Sequence, residues 1–367
     1  MSIKILFCDN SLRELLNFRE NVIRYYVSQG CEVILVAPDT YAYRPESFLG
    51  RYIPVKFSRS GMNPIKDLSY FFTLCRIYRT ERPDYIFHYT IKPNIYGTLA
   101  ARVCGIPSTA MIAGLGYIFY KKNLKCLLAR SLYKWALKYS EKVLVLNEAN
   151  KRFLLDYGIV RPTQLIHLQG GEGVDLARFS EQQKQGKRPV FLMIARLLYD
   201  KGYREYVEAA KRVKELYPEV EFQVLGDIDL EYPRHVPEEV IKQDHASAYI
   251  VYLGYAIQVE DKIRQADCVV LPSYYNEGLS RVLMEATAMG KPVITCDIPG
   301  CREAVEEGVN GFLVPPRDVD ALVEAFKKML MLTPQERKEM GKKSRQKAEQ
   351  EFDIQHVIAV YRKIIKG

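Results

Sequence analysis

The stretch from Cys268 to Glu303 most constrains what this chain can fold into. Cys268-Val269-Val270-Leu271 is an apolar run of strand length, and a tight polar turn, Ser273 to Gly278, follows it. Ser280 stands where a helix N-cap belongs, ahead of the apolar positions Val282, Leu283, Ala286 and Met289. Gly290 ends that helix, and Pro292-Val293-Ile294-Thr295 reads as the next strand. Strand, loop, helix and strand in this order make one unit of a parallel sheet.

Two carboxylates mark the stretch. Glu277 lies in the loop at the carboxyl end of the strand, where open α/β sheets bind ligands. Glu285 sits in the second turn of the helix, on a side that can face the same crevice. Between them the amides of Gly278, Leu279 and Ser280 are predicted to be free at a helix N-terminus, which suits an anion or a sugar oxygen. The alternative is plain helix chemistry: Glu277 complementing the dipole and Glu285 solvated.

The residues themselves add to this. Asn276-Glu277-Gly278-Leu279 through Glu285-Ala286, then Gly290-Lys291-Pro292-Val293 and Pro299-Gly300-Cys301-Arg302-Glu303, resemble the donor-site signature of glycosyltransferase family 4. The resemblance is to bacterial enzymes of capsule, O-antigen and lipid-linked-oligosaccharide assembly, such as N-acetylgalactosaminyltransferases acting on undecaprenyl-diphosphate-linked sugars. It covers nearly all of the C-terminal half and parts of the N-terminal half. It implies the α/β GT-B architecture, two Rossmann-like parallel-sheet domains facing across a cleft.

Length, charge and cysteines fit that frame. A chain of 367 residues holds about two domains. Residues 1–180 carry 25 Lys+Arg against 14 Asp+Glu, whereas the remainder carries 28 against 30, so the net positive charge belongs to the first half. Such a field draws anionic lipid or an acidic substrate; no nucleic-acid motif accompanies it. The eight cysteines are scattered without a Cys-x-x-Cys pair and read as reduced thiols of a cytosolic protein. The five histidines have no metal-ligand spacing. No signal peptide and no membrane span is legible.

Along the chain, Ile3–Cys8, a helix reaching about Gln29, and Glu32–Ala37 form a first βαβ unit without G-x-G-x-x-G. Family members carry a Gly-Gly pair in that first loop, where this chain has Asn10-Ser11-Leu12-Arg13. Phe18-Arg19 matches the capsule-type relatives, and Arg19 is a candidate contact for an acceptor anion, or simply a solvated helix charge. Lys92 and Asn94, in the loop after the strand Pro83–His88, and Gly114 and Gly116 are further acceptor candidates on the resemblance. The family's histidine in this region has no counterpart here, since Ala113-Gly114 occupies the place; His88 reads as a packing histidine. Tyr120 to Tyr139 is a basic amphipathic helix bearing the only tryptophan, Trp135, and suits either a membrane surface or an ordinary core contact.

Arg196 and Lys201, in the loop after the strand Pro189–Ala195, match the family's paired cations on the donor diphosphate; without the resemblance, surface ion pairing explains them. Gly254 and Tyr255 fall in the loop expected near the base. Asp227-Ile228-Asp229 has the look of a metal-binding D-x-D but lies in a plain βα loop of the resembled fold.

These readings give boundaries of 1–180 for an acceptor- and membrane-facing domain, 181–351 for the nucleotide-sugar domain, and 352–367 for a helix returning to the first. The implied activity is retaining transfer of a sugar from a nucleoside diphosphate, expected to be UDP and possibly a UDP-N-acetylhexosamine, to a polyprenyl-diphosphate-linked saccharide. Arg196, Lys201 and Glu277 would be catalytic; Gly278, Leu279, Ser280, Glu285, Gly254 and Tyr255 would bind the donor. No metal or other cofactor is expected. The partners would be the nucleotide sugar, the lipid-linked acceptor and the cytoplasmic face of the membrane. A UDP-sugar 2-epimerase of the same fold and a non-catalytic assembly scaffold are the alternatives; the epimerase would need N-terminal carboxylates, to which Asp9, Asp84 and Glu148 are poor matches.

Overall fold

The computed structural model describes residues 2–38, 50–56, 63–115, 124–181, 184, 188–230, 232–275 and 278–366. The chain divides into two compact units, Met1–Glu172 with Ile354–Gly367, and Gly173–Asp353.

The first unit is built on a parallel sheet of seven strands among the described residues, in the order β3-β2-β1-β4-β5-β6-β7. These are β1 Lys4–Cys8, β2 Glu32–Ala37, β3 Arg51–Pro54, β4 Tyr85–Tyr89, β5 Ser108–Ile112, β6 Lys142–Val145 and β7 Leu165–His167. Strand register sorts the side chains. Leu6 lies beside Ile34 and Ile86, and His88 beside Cys8 and Ala110, so these share one face. That face is covered by α2 Pro64–Glu81, α3 Thr98–Cys104 and α4 Leu124–Leu137. Ile5, Phe7, Phe87 and Tyr89 point the other way, under α1 Leu12–Ser28 and α12 Ile354–Lys366. Ser11 starts α1 by accepting from the Glu14 amide, and Asn63 starts α2 by accepting from that of Lys66.

Helix α12 shows why the end of the chain folds onto the beginning. Ile354, Val357, Ile358, Tyr361 and Ile364 form one helical stripe, and all are buried in the core of the first unit. Each such side chain stabilises by roughly 1.5–3 kcal/mol when fully buried. The Tyr361 hydroxyl lies 3.0 Å from that of Tyr89 on β4, so its polar tip is satisfied inside the core.

The second unit has a six-stranded parallel sheet, order β10-β9-β8-β11-β12-β13. Its strands are β8 Val190–Ile194, β9 Glu221–Leu225, β10 Val251–Tyr252, β11 Cys268–Leu271, β12 Val293–Cys296 and β13 Gly311–Val314. Phe191, Phe222 and Phe326 meet in its core with ring centroids 5.2, 4.7 and 5.1 Å apart. Between and after the strands run α5 Glu148–Asp156 in the first unit and, in the second, α6 Tyr203–Leu216, α7 Glu238–Ala246, α8 Glu260–Gln265, α9 Arg281–Ala288, α10 Val319–Met331 and α11 Pro334–Lys347.

The expected boundary at residue 180 is corrected to 172/173. Val174 donates to the Phe352 carbonyl at 2.7 Å and bridges to Asp353, and Val174 and Phe179 are buried in a core of the second unit. Their apolar side chains draw residues 173–180 into that unit. The return point moves correspondingly to 353/354. Of the polar linker expected at 181–188, residues 182, 183 and 185–187 lie outside the described residues. All eight cysteines are free thiols, six of them buried and Cys31 and Cys104 half-buried. Among the described residues no helix is long and apolar enough to cross a membrane.

Both sheets have a switch point, where neighbouring strands send their connections in opposite directions: β1/β4 in the first unit and β8/β11 in the second. At the first, Asp9 follows β1 and is buried, taking the Asn10 amide on Oδ1 at 2.6 Å. Thr90 follows β4 in a left-handed conformation, φ 65°, with Oγ1 at 3.5 Å from the same oxygen. Burial pushes the Asp9 carboxyl up from 3.8 to about 7; Glu14 adds to the shift and Arg19 opposes it. The folded state then keeps a proton that the unfolded chain has lost. Stability from this group is complete below about pH 3.8 and is lost as pH rises through about 7. Asp9→Asn should abolish that loss. Urea titrations at pH 4 and pH 8 should show the wild type losing roughly 2–4 kcal/mol more than the variant between the two.

Candidate functional site

The site in the second unit is assembled at the β8/β11 switch point. The loop after β8 carries Arg196 and Lys201, and the loop after β11 begins at Pro272. Between the two cations sits Asp200, a buried carboxylate that sequence reasoning missed. Its Oδ2 accepts from the Tyr232 hydroxyl at 2.9 Å and its Oδ1 from Arg234 Nε at 2.6 Å. Its backbone oxygen takes the Tyr274 amide at 3.0 Å. One residue thus ties three loops together, those after β8, β9 and β11. The signal was the Asp-Lys-Gly triplet: Gly202 adopts φ 81° and passes so close to Pro272 that a Cβ would stand 2.1 Å from its carbonyl oxygen.

This knot places Tyr275 between the cations. Lys201 Nζ lies 4.7 Å above its ring centroid, and the Arg196 guanidinium carbon lies 5.9 Å from it and 5.9 Å from that of Tyr232. Arg196 Nη1 is 2.7 Å from Asp229 Oδ2, and both side chains are substantially exposed. An exposed pair is worth about 0–1 kcal/mol, so an incoming anion can displace Asp229 at small cost. The Asp-x-Asp pattern is thereby accounted for as a partner of Arg196. Among the described residues no group of three His, Cys, Asp or Glu is placed to hold a metal ion.

The donor candidates on and around α9 are partly revised. Glu285 is buried, with Arg281 Nε 2.7 Å from its Oε1. Burial raises its pKa, against the opposing pull of Arg281. The Ser280 amide is not free as expected: it donates to the Gly300 carbonyl at 2.7 Å, and the Ser280 side chain makes no capping bond. The reason is the turn at Gly300, which brings that carbonyl against the helix start. The first intrahelical bond runs from Met284 N to Ser280 O, so the amides that precede the ladder are those of Arg281, Val282 and Leu283. Gly278 and Leu279 lie half-buried just ahead of them, and Glu277 lies outside the described residues. Gly254 takes φ 74° after β10, its carbonyl accepting the Gly226 amide at 2.9 Å, and Tyr255 next to it is exposed.

In the first unit the acceptor candidates turn inward. Arg19 is only 4 % exposed; its Nη2 lies 2.6 Å from Glu172 Oε1 and its guanidinium 4.4 Å over the Tyr89 ring. A buried guanidinium requires such a partner, and the structure holds Arg19 inside the first unit rather than in solvent. Asn94 is corrected likewise: fully buried, it donates from Nδ2 to the Met111 carbonyl and the Tyr133 hydroxyl. Lys92 is held by Asp67 at 2.7 Å, with the Tyr96 hydroxyl on the other carboxylate oxygen. Gly114 is half-buried after β5, and Gly116 lies outside the described residues. His88 is fully buried between Tyr78 and Thr98, and burial lowers its pKa to about 3. It packs, as its sequence context predicts.

Two α/β units, each built on a parallel sheet with a switch point, make up the GT-B fold. The structure matches a UDP complex of the Anabaena protein Alr3699/HepE with a TM-score of 0.80 at 18% identity, over 99% of this chain and 100% of that one. Residues 19–178 match the model of Glycosyltransferase Family 4, and residues 176–347 that of Glycosyl transferases group 1. The chain carries these two glycosyltransferase domains in succession. It is 28% identical, over the full length of both chains, to N,N'-diacetylbacillosaminyl-diphospho-undecaprenol alpha-1,3-N-acetylgalactosaminyltransferase of Campylobacter jejuni. It is 27% identical to UDP-Gal:alpha-D-GlcNAc-diphosphoundecaprenol alpha-1,3-galactosyltransferase of Escherichia coli, over 71% of this chain and 70% of that one.

Two glycines separate strain from crowding. Gly202 and Gly254 share a left-handed backbone, but a Cβ at Gly254 would meet nothing within 4 Å. Gly254→Ala should cost about 1–2 kcal/mol, the strain alone. Gly202→Ala should cost at least about 2 kcal/mol more, because the Pro272 carbonyl must move. Denaturant midpoints of the two variants measure the difference; equal losses would contradict the close approach.

Proposed function

We propose that the chain is a retaining glycosyltransferase that moves a sugar from UDP to a saccharide carried on polyprenyl diphosphate. The observation that carries this is the pair Arg196 and Lys201, set around Tyr275 at the switch point of the second sheet. Two cations beside an aromatic ring suit a nucleoside diphosphate as leaving group. The activities of the relatives, on undecaprenyl-diphosphate-linked sugars, support the acceptor class. The UDP complex of the structural neighbour supports the base.

In this reading the second unit holds the donor. Glu285 accepts hydrogen bonds from the ribose hydroxyls, and Gly254 and Tyr255 border the base. Glu277 orients the transferred sugar. As the bond from the anomeric carbon to the diphosphate oxygen breaks, charge builds on that oxygen. Arg196 and Lys201 meet it, and they interact most strongly when the charge is largest. The acceptor hydroxyl attacks from the face of departure. Its oxygen bonds to the anomeric carbon, its proton passes to the leaving diphosphate, and the configuration is kept. Cationic side chains supply the charge stabilisation, so no metal is required.

Arg196→Ala and Lys201→Ala should each lower kcat by on the order of 10²-fold, with a smaller change in KM. NMR of the product linkage, with EDTA present, should show the donor's anomeric configuration retained. Inversion, or loss of transfer on chelation, would overturn the mechanism.

Glu285→Ala should weaken UDP binding by about 1.5–3 kcal/mol in calorimetry. An unchanged affinity in a folded variant would remove Glu285 from the ribose.

A further inference from the structure

Two thiols from different helices meet on one face of the first sheet. Cys75 stands on α2, and Cys104 is the last residue of α3, 29 positions further along the chain. The Cys104 thiol donates to the Cys75 carbonyl oxygen, its sulfur 3.6 Å away. A carbonyl oxygen lies about 2.4 Å from its own Cα, so that sulfur is within about 6 Å of the Cys75 Cα. The two side chains also act on each other directly: the Cys75 S–H donates to the Cys104 sulfur once Cys104 is ionised. Ala100 and Ala101 of α3, fully buried in the same core as Cys75, let the helices come this close.

His88 sets the spacing. Tyr78, three residues after Cys75, places its hydroxyl 2.9 Å from His88 Nε2. Gly97 and Thr98, where α3 begins, lie against the same ring. A Cβ on Gly97 would stand 2.4 Å from His88 Cδ2, and Thr98 Oγ1 is 3.4 Å from Nδ1. Both helices thus rest on one buried side chain of β4, and close packing keeps them from drifting apart.

The two thiols are unlike. Cys104 is half-buried, whereas Cys75 is 4 % exposed. Burial pushes both up. The Arg79 guanidinium pulls both down, and it also hydrogen-bonds to Cys104. The bond between the thiols lowers Cys104 and raises Cys75. Cys104 is therefore the thiol with the better-supported thiolate and the one that a reagent in solvent reaches. Cys75 stands behind it.

We propose that Cys104 and Cys75 are an attacking and a resolving thiol, which a small-molecule disulfide converts into a bridge between α2 and α3. The Cys104 thiolate attacks one sulfur of the small disulfide. That S–S bond breaks, a mixed disulfide forms on Cys104, and the released thiolate takes a proton. Cys75 then gives its proton to solvent and attacks the Cys104 sulfur, and the second small thiolate leaves and is protonated. The protein loses two electrons and two protons, and the small disulfide departs as two thiols. The bridge closes a loop that contains β4, the left-handed Thr90 and Lys92, so it fixes the segment bordering the switch point of the first sheet. This site is independent of the functional reading above.

The test uses the full chain and oxidised glutathione, followed by unfolding, alkylation and peptide mapping. The untreated protein should take an alkyl group on each of its eight cysteines. The treated protein should lose alkylation at Cys75 and Cys104 together and yield one linked peptide joining them. Closing that loop should raise the Tm by several degrees, and dithiothreitol should return both mass and Tm. Cys75→Ser should stop at the first step and retain one glutathione on residue 104. Cys104→Ser should retain none at Cys75, and Cys31→Ser should leave the bridge unchanged. Alkylation persisting at both cysteines of the treated wild type would overturn the proposal. So would glutathione held on its Cys104, or a dimer linked through that residue on a non-reducing gel.

Discussion

Parallel pairing is the constraint on which both units depend. A parallel sheet has no hairpins, so every strand must be followed by a crossover that returns the chain to the same starting edge. All the loops that follow strands therefore open on one edge. Where the direction of winding reverses, two such loops part and leave room between them. In the second unit this happens at β8 and β11, and the cations and tyrosines of the candidate site stand there. In the first it happens at β1 and β4, where a buried Asp9 and a left-handed Thr90 stand. The two units share the plan but fill it with opposite chemistry: exposed positive charge in one, a buried carboxyl in the other.

Geometry within the site of the second unit comes from neutralised charge. Asp200 is buried because the loop after β9 supplies it with a hydroxyl and a guanidinium and the loop after β11 bonds to its backbone, and the three loops hold together because Asp200 is there. Lys201 inherits its position from that arrangement, one residue away. Arg196 is held more loosely, by an exposed carboxylate. The difference suits a pair in which one cation is fixed and the other exchanges partners.

How much of this was legible in the sequence varied with the physics involved. Buried strands and stripe-bearing helices read well: Cys268–Leu271 has the predicted limits and the helix expected at 352–367 runs over Ile354–Lys366, because apolar periodicity is a local signal. At the sheet's edge β10 holds only Val251–Tyr252, where a single neighbour supports it. Among the candidate site residues, Arg196 and Lys201 were visible and Asp200 was not, since its role depends on partners more than 30 residues away. Arg19 and Asn94 show the mirror image. A helix cation and a loop amide look available until Glu172 and Tyr133, distant in sequence, are found against them.

The two units differ in how the chain builds them. Gly173–Asp353 is one continuous segment, whereas the first unit needs Ile354–Lys366, which leaves the ribosome only after the whole second unit has been made. Until then Ile5, Phe7, Phe87 and Tyr89 lack the helix that covers them, and the Tyr89 hydroxyl lacks Tyr361. Without that helix the first unit exposes a strip of its core, whereas the second unit is made entirely of its own continuous segment. Removal of residues 354–367 would therefore leave the second unit's chain whole and strip the first of one wall of its core.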